Sequence, residues 1–309
     1  MRCGTIGDVS HDPRHDPRRD PLDLPALRRD LLAPAGPLAR LDVVEESGST
    51  NADLVDAVRR APGEWPAPAA LVAEHQTAGR GRAGRGWQTP PRAALTVSVL
   101  LRPRLEPARL GWLPLLAGLA VARAVDDAGV PGAAVKWPND VLLPATDDAA
   151  GLGPFRKVAG VLAEVVPALD GQGPAAAAVV VGVGLNVDQS AAELPVPTAT
   201  SLALEGARAD RDALLGTLVR ELVGVVADLE AARGDADAAG LAARYAAASA
   251  TLGTAVRAEL AGGRDVVEGE AVRVAADGAL VLATAGGERT VTAGDVHHLR
   301  RSQPGHSPR

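Results

Sequence analysis

The sequence contains one cysteine, Cys3, so the chain can form neither an internal disulfide nor a cysteine-built metal site. It also lacks an uninterrupted run of about 20 apolar residues, the length that a membrane-spanning helix needs. The longest apolar stretch, Leu110 to Val125, is interrupted by Gly111, Pro114, Gly118 and Arg123. We therefore predict that the protein does not span a membrane.

A secretory signal and a basic surface are missing as well. The first residues lack a charged start, an apolar middle and a small-residue cleavage site, which predicts a cytoplasmic protein. The formal net charge is -6 and the pI is about 5.6, which argues against nonspecific nucleic-acid binding by the whole surface. With 309 residues, 47% of them hydrophobic, the chain has enough material for a substantial core and about two domains.

The composition and hydrophobic pattern of the sequence change along the chain. Residues 1–37 are rich in Arg, Asp and Pro without apolar periodicity, which predicts a disordered extension. Residues 38–249 alternate strand-like and helix-like segments, which predicts an α+β domain with helices on a mixed β-sheet platform; turn formers between Pro144 and Arg156 suggest a mobile loop inside it. Short alternating segments over 250–300 predict a small antiparallel barrel, and residues 301–309 are predicted to be a tail.

The segment from Gly79 to Trp87 contains glycines alternating with arginines. Glycine allows the backbone to approach a ligand closely, and arginine offers planar donors for phosphate or carboxylate oxygens. This combination predicts an ordered loop that binds a small anion. The alternative is a flexible basic segment that contacts RNA, although such segments are usually repetitive and this one occurs once, between two predicted strands.

Other motifs each have a plainer interpretation. Ser49-Thr50-Asn51 precedes a predicted helix, and Thr50 could simply cap it with Asp53 as partner. Lys136 to Asp140 could be a β-turn between strands, and Lys157 a charge at a strand edge. The segment from Gly182 to Val187 is no dinucleotide fingerprint, because the third glycine and the following helix are missing. His297 and His298 are taken as structural, because adjacent strand residues face opposite ways.

Taken together, these motifs form an ordered series that resembles biotin protein ligases from about Leu38 onward. The series comprises Ser49-Thr50-Asn51, Gln76 with Gly79 to Trp87, Lys136 to Asp140, Lys157 to Leu162 with Glu164, Gly182 to Asn186, and Ala199 to Leu202. The resemblance implies a class II synthetase-like catalytic domain of the biotin/lipoate ligase type, followed by a small SH3-like β-barrel.

The same resemblance implies the chemistry and its residues. Biotin would attack ATP to give biotinyl-5′-AMP, and the acyl group would then pass to a lysine of a biotin carboxyl carrier domain. Lys157 and Arg82 are expected to be catalytic. The expected biotin-binding residues are Ser49, Thr50, Asn51, Gln76, Arg80, Gly81, Arg82, Lys157, Gly160 and Gly184. The expected nucleotide-binding residues are Trp87, Lys136, Asn139, Asp140 and Asn186, with Mg²⁺ beside the phosphates and its ligands unassigned.

Partners follow from the resemblance too. The acceptor would be the carrier domain of a biotin-dependent carboxylase. Whether the protein forms a homodimer is left open by the sequence. The residues before Leu41 leave no room for a winged-helix domain, so no DNA binding is expected. A lipoate or octanoate ligase is the alternative enzyme, and a nucleic-acid-binding module is the alternative from another class.

Overall fold

The computed structural model describes residues 19–167, 177–260, 265–292 and 294–299. Within them, the larger unit is built on a seven-stranded mixed sheet of order β1-β2-β5-β9-β8-β7-β6, in which only β1 and β2 are parallel. Its strands are β1 Arg40–Ser47, β2 Ala69–Gln76, β5 Ala94–Leu101, β6 Ala134–Lys136, β7 Asp140–Ala149, β8 Gly153–Val166 and β9 Ala178–Asn186. A separate short hairpin consists of β3 Gly79–Arg80 and β4 Gly86–Trp87.

Helices cover both faces of the large sheet. They are α1 Leu24–Leu31, α2 Thr50–Arg60, α3 Leu113–Asp127, α4 Arg211–Ala231 and α5 Leu241–Ala248, and short 3-10 turns occupy Pro62–Glu64, Arg82–Gly84 and Pro107–Trp112. The apolar residues of α2 pack with one face of the sheet, and those of α3 and α4 pack with the other. The stretch Pro107–Asp127 is long and apolar enough to cross a membrane, yet most of it is buried in this core.

The central strands explain why the sheet has helices on two sides. All eight residues of β5 are buried, and β9 is buried at every position except Gly184. A strand buried on both faces needs apolar or small residues throughout, and both strands have them. The predicted mixed sheet with packed helices is confirmed.

The C-terminal unit is a five-stranded antiparallel sheet, as predicted for the small barrel. Its strands, in the order β13-β12-β11-β10-β14, are β10 Ala255–Leu260, β11 Val266–Val274, β12 Leu280–Thr284, β13 Gly287–Val291 and β14 Gly294–His298. Two indoles of the larger unit donate to its turn, Trp112 to the Ala275 carbonyl at 3.2 Å and Trp137 to the Gly278 carbonyl at 2.9 Å. Buried tryptophan normally finds such an acceptor, so these bonds join the two units.

The expectation of disorder over residues 1–37 is wrong for residues 19–37. Helix α1 begins after Asp23, whose side chain accepts from the Ala26 amide, and it buries Leu27 and Leu31 against the main core. Two leucines four residues apart share one face of a single short helix, a signal too brief to stand out in a proline-rich stretch. Residues 1–18 and 301–309 lie outside the described residues.

The expectation of a loop over Pro144 to Arg156 is also wrong. Strands β7 and β8 continue through it as a hairpin in which Pro144 pairs with Phe155, and Gly151 and Gly153 adopt positive φ at its tip. The tip contacts the C-terminal unit, because the His298 amide donates to the Gly151 carbonyl at 3.1 Å. The turn is confined to the tip of this hairpin, and the strands on either side are longer than predicted.

Candidate active site

A cavity of about 410 Å³ lies between the start of α2, the hairpin β3–β4 and the faces of β8 and β9. Polar residues line one end and a lysine lines another, with glycines between them. The lining residues are Ser49, Thr50, Asn51, Gln76, Arg80, Gly81, Arg82, Arg85, Gly86, Trp87, Gln88, Asn139, Lys157, Gly160, Val161, Leu162, Gly182, Val183, Gly184, Asn186, Pro195, Val196 and Ala199.

The polar end is held by a buried hydrogen-bond network. The Thr50 amide and hydroxyl both donate to Gln76 Oε1, at 2.8 and 3.1 Å. Because a backbone N–H needs an acceptor, this orients the Gln76 amide and leaves its NH₂ group for a ligand. Thr50 is thus the first helical residue and no cap, and Asp53 accepts from the Ser47 hydroxyl at 2.6 Å instead. The capping interpretation of Thr50 with Asp53 is wrong.

Asn51 uses its polar atoms inside the protein. Its Nδ2 donates to the Leu162 carbonyl at 3.0 Å and to Glu164 Oε2 at 2.9 Å. Its Oδ1 lies 2.6 Å from the Ser98 hydroxyl, which is also 2.8 Å from Thr50 Oγ1. Asn51 therefore shapes the polar end, and Ser98 supports it from below. Sequence reasoning missed Ser98, although a serine in an otherwise apolar buried strand is a usable signal.

The Gly-Arg segment is a closed hairpin. The Gly81 amide donates to the Arg85 carbonyl at 2.7 Å, and Ala83 and Gly84 adopt φ values of 53° and 73° between them. Arg85 pairs with Asp295 of β14 at 2.8 Å, whereas Arg80 is exposed. Arg82 Nε is buried without a hydrogen-bond partner among the described residues. A buried donor left unpaired is costly, so a ligand acceptor near Arg82 fits the geometry.

Trp87 packs onto a floor made of glycine. A Cβ atom added to Gly184 would lie 2.4 Å from Trp87 Cε2, and one added to Gly160 would lie 3.4 Å from its Cζ3. Gly182 is equally crowded, because its Cβ would lie 2.1 Å from Asn51 Oδ1. The glycines of β8 and β9 therefore allow the indole to approach the sheet. Its Nε1 is buried and finds no partner in the described part of the chain.

Lys157 forms the cationic end of the cavity. Its Nζ is 2.6 Å from Asp140 Oδ1 and 5.7 Å from the centre of the Trp87 ring. The backbone of Lys157 exchanges two hydrogen bonds of 2.8 Å with the segment Thr198–Thr200. A lysine fixed by both backbone and carboxylate places one positive charge at a defined point.

The predicted nucleotide-binding residues separate into two groups. Trp87, Asn139 and Asn186 line the cavity, whereas Lys136 and Asp140 lie behind Lys157 and do not. Asn139 donates to the Val161 carbonyl at 3.0 Å, and its amide closes a turn onto Lys136. The turn interpretation of this segment is thus correct for the backbone. Asn186 uses its amide to hold the next loop, through the Thr200 carbonyl and Gln189.

Lys136 is buried and makes no ion pair among the described residues. Burial lowers the pKa of Lys136, and the nearby Asp140 opposes that shift. Burial likewise lowers the pKa of His298 to about 4, with Lys136 adding to the effect. His298 is therefore neutral at pH 7 and lies against Thr251 and the Leu152 carbonyl.

Comparison with known proteins adds the family. A model described as the biotin/lipoate A/B protein ligase family matches residues 49–186, and one described as the biotin protein ligase C terminal domain matches residues 251–299. The chain is 44% identical over 284 residues to the biotin–acetyl-CoA-carboxylase ligase of Mycobacterium tuberculosis, which covers 90% of this chain and 96% of that protein. The chain belongs to the biotin protein ligase family.

Two other members of the biotin protein ligase family are similar. The structure of the biotin protein ligase from Aquifex aeolicus in complex with biotin and ATP has a TM-score of 0.64 at 27% identity and covers 84% of this chain and 99% of that one. The bifunctional ligase/repressor BirA of Escherichia coli is 35% identical over 189 residues, covering 60% of this chain and 52% of BirA. The resemblance inferred from the ordered motifs is thereby confirmed.

Proposed function

We propose that this chain is an ATP-dependent biotin protein ligase. It converts biotin and ATP to biotinyl-5′-AMP and pyrophosphate, and it transfers the biotinyl group to a lysine of a biotin carboxyl carrier domain. The observation that carries the proposal is one cavity with a neutral polar end at Thr50 and Gln76, a cationic end at Lys157, and an arginine hairpin across it. The ligase of Mycobacterium tuberculosis and the Aquifex aeolicus enzyme in complex with biotin and ATP support the same acid and the same nucleotide.

The polar end suits the ureido ring of biotin. That ring has both donors and acceptors, and Ser49, Thr50 and the free NH₂ of Gln76 can pair with them. The apolar tail would then run along the cavity past Trp87, whose indole packs on Gly184, towards Lys157. Asn51 supports these contacts from behind.

The reaction needs charge neutralisation more than proton transfer. The biotin carboxylate is ionised at neutral pH and attacks the α-phosphorus of ATP itself, breaking the bond to the departing pyrophosphate. Lys157 stabilises the charge that develops on the α-phosphate, and the arginine hairpin closes over the product. In the second step, the amine of the carrier lysine attacks the acyl carbon, AMP departs and the amine loses a proton.

We expect the nucleotide and the metal to bind beside Lys157. Trp87, Asn139 and Asn186 face the part of the cavity that ATP would take, with Lys136 and Asp140 as charges behind it. No group of three or more metal-ligating side chains occurs in the described residues. Mg²⁺ is commonly held largely by phosphate oxygens and water, so we propose that it enters with the nucleotide and does not need a preformed protein site. The ion would neutralise phosphate charge.

The chemistry also suggests the acceptor protein and the cellular compartment. We expect the acceptor to be the carrier domain of a biotin-dependent carboxylase, and we expect the enzyme to act in the cytoplasm, where ATP and the carboxylase are found. A homodimer and the absence of DNA binding remain predictions.

ATP–pyrophosphate exchange tests the proposal against the lipoate alternative. Biotin should support exchange, while lipoate and octanoate should not, because neither offers hydrogen-bonding partners for the buried polar groups at Thr50 and Gln76. Exchange that is driven equally well by lipoate, or that fails with biotin, would contradict the assignment.

A further inference from the structure

The segment Val187–Thr200 forms one wall of the cavity without being a helix or strand. It leaves β9 after Asn186, contributes Pro195, Val196 and Ala199 to the lining, and rejoins the sheet beside Lys157. We call residues 188–196 the wall loop. Val196 is 49% exposed, so packing alone does not hold this part of the wall. Polar contacts must position it.

One of those contacts comes from the N-terminal end of the described chain. Arg19 donates from Nη1 and Nη2 to the two carboxylate oxygens of Glu193, at 3.1 and 2.8 Å, and from Nη2 to the Asp188 carbonyl at 2.9 Å. Glu193 also accepts from the amide and hydroxyl of Ser190, both at 2.9 Å. Arg19 thus contacts the start of the wall loop and a residue two positions before Pro195.

The residues that follow Arg19 are held by a buried hydrogen-bond network around Glu74. The Leu22 amide donates to Glu74 Oε1 at 2.7 Å, and Arg211 donates to Glu74 Oε2 at 2.7 Å and to the Asp20 carbonyl at 2.6 Å. Glu74 and Arg211 are 4% and 6% exposed. Glu74 lies on β2 two residues before Gln76, whose side-chain amide forms part of the polar end. The contacts around Arg19 are therefore anchored on the same strand as the polar end.

We propose that Arg19 is a positioning residue for the biotin site, acting through Glu193 to hold the wall loop in its binding conformation. The proposal rests on the proposed function, since it takes biotin as the ligand. A bidentate guanidinium–carboxylate pair fixes direction as well as distance, and here it joins segments 174 residues apart. Without it, the wall loop must be ordered when the ligand binds, and the ordering cost weakens affinity.

The test uses R19Q, E193Q and the R19Q/E193Q double variant, with R29Q as control. Arg29 pairs with Asp30 on the surface, where its side chain is 70% exposed, and lies away from the cavity. Biotin affinity is measured by calorimetry, and KM and kcat by ATP–pyrophosphate exchange. We expect R19Q and E193Q each to raise the biotin Kd and KM by about tenfold while kcat changes by less than about twofold. R29Q should match the wild type.

The double variant separates positioning from general damage. If Arg19 acts through Glu193, the double variant should bind biotin no more weakly than R19Q, because R19Q already removes the pair with Glu193 as well as the contact with Asp188. Additive losses, an unchanged Kd in R19Q, or a fall in kcat without a change in Kd would each overturn the proposal. E193Q keeps the shape of the side chain, so it provides a folded comparison if R19Q is unstable. A wild type that binds no biotin would instead reject the proposed function.

Discussion

At the scale of the residue, Lys157 and the glycine floor carry the chemistry and the shape of the site. Lys157 is one charge held by Asp140 at 2.6 Å and by two backbone hydrogen bonds to Thr198 and Thr200. Trp87 occupies the space where a Cβ of residue 184 would be, and a Cβ at Gly160 would lie against Lys157 Nζ at 3.1 Å. Each of these features can be tested by one substitution.

Lys157→Ala should lower the rate of adenylate formation by about 10²- to 10³-fold, the usual loss when one preorganised group that stabilises the transition state is removed. Pyrophosphate release with biotin and ATP measures the effect. Arg156→Gln is the control, because the neighbouring Arg156 pairs with Asp147 and does not line the cavity. Wild-type pyrophosphate release in Lys157→Ala would contradict the assignment.

Gly184→Ala should displace Trp87 and weaken biotin binding by at least about tenfold, because no packed indole tolerates a carbon at the 2.4 Å separation found here. Calorimetry measures the affinity. Gly224→Ala, on α4 with no atom within 4 Å of the new carbon, should bind biotin normally. Equal affinities in the two variants would show that the position of Trp87 does not matter.

At the scale of the element, the site is assembled from irregular segments held by long-range contacts. The strands and the main helices were predictable, because burial on both faces or on one leaves a clear pattern in β5, β9 and α4. The wall loop and its link to Arg19 were not, because no local pattern in either segment signals a partner 174 residues away. The prediction for helix α1 was wrong for a related reason, because the stability of this helix depends on the tertiary packing of two leucines.

The wall loop should respond to acid through Glu193. The hydrogen bonds from Arg19 lower the pKa of Glu193 to about 2, below its ordinary value. A carboxyl group with a lowered folded-state pKa stabilises the fold above its unfolded pKa and loses that contribution as pH falls through the folded value. The stability difference between wild type and E193Q should therefore be largest above about pH 4.5 and vanish near pH 2. Denaturant unfolding across this range measures it, and a difference that grows on acidification would contradict the assignment.

At the scale of the whole molecule, two features matter. The site includes contacts between the two units, and the sequence has very few lysines. Arg82 and Arg85 of the hairpin contact β14 of the C-terminal unit through the Gly294 carbonyl and Asp295. The motifs and their order were readable from the sequence, but these contacts between units were not, because nothing in the spacing of residues 85 and 295 indicates proximity. The sequence also contains only two lysines, Lys136 and Lys157.

The scarcity of lysine gives Arg82→Gly a distinctive outcome. Opening the hairpin should release biotinyl-5′-AMP, which acylates uncharged amines in solution. A lysine-rich bystander protein in the same tube should be labelled much more than the enzyme, because Lys136 is buried, Lys157 is ion-paired and the α-amine of the N-terminus is then the main amine that the enzyme offers. Avidin blotting compares the two proteins. An unlabelled bystander despite measurable adenylate release, or an enzyme labelled as strongly as the bystander, would contradict this expectation.

The most direct test of the central claim is mass spectrometry of a purified biotin carboxyl carrier domain after incubation with the enzyme, biotin, ATP and Mg²⁺. The cavity that joins Thr50 and Gln76 to Lys157 predicts a carrier with one biotinyl group on one lysine, and no modification when ATP is left out. A carrier that remains unmodified in the presence of both ATP and biotin would show that this cavity does not make biotinyl-AMP and transfer its biotinyl group.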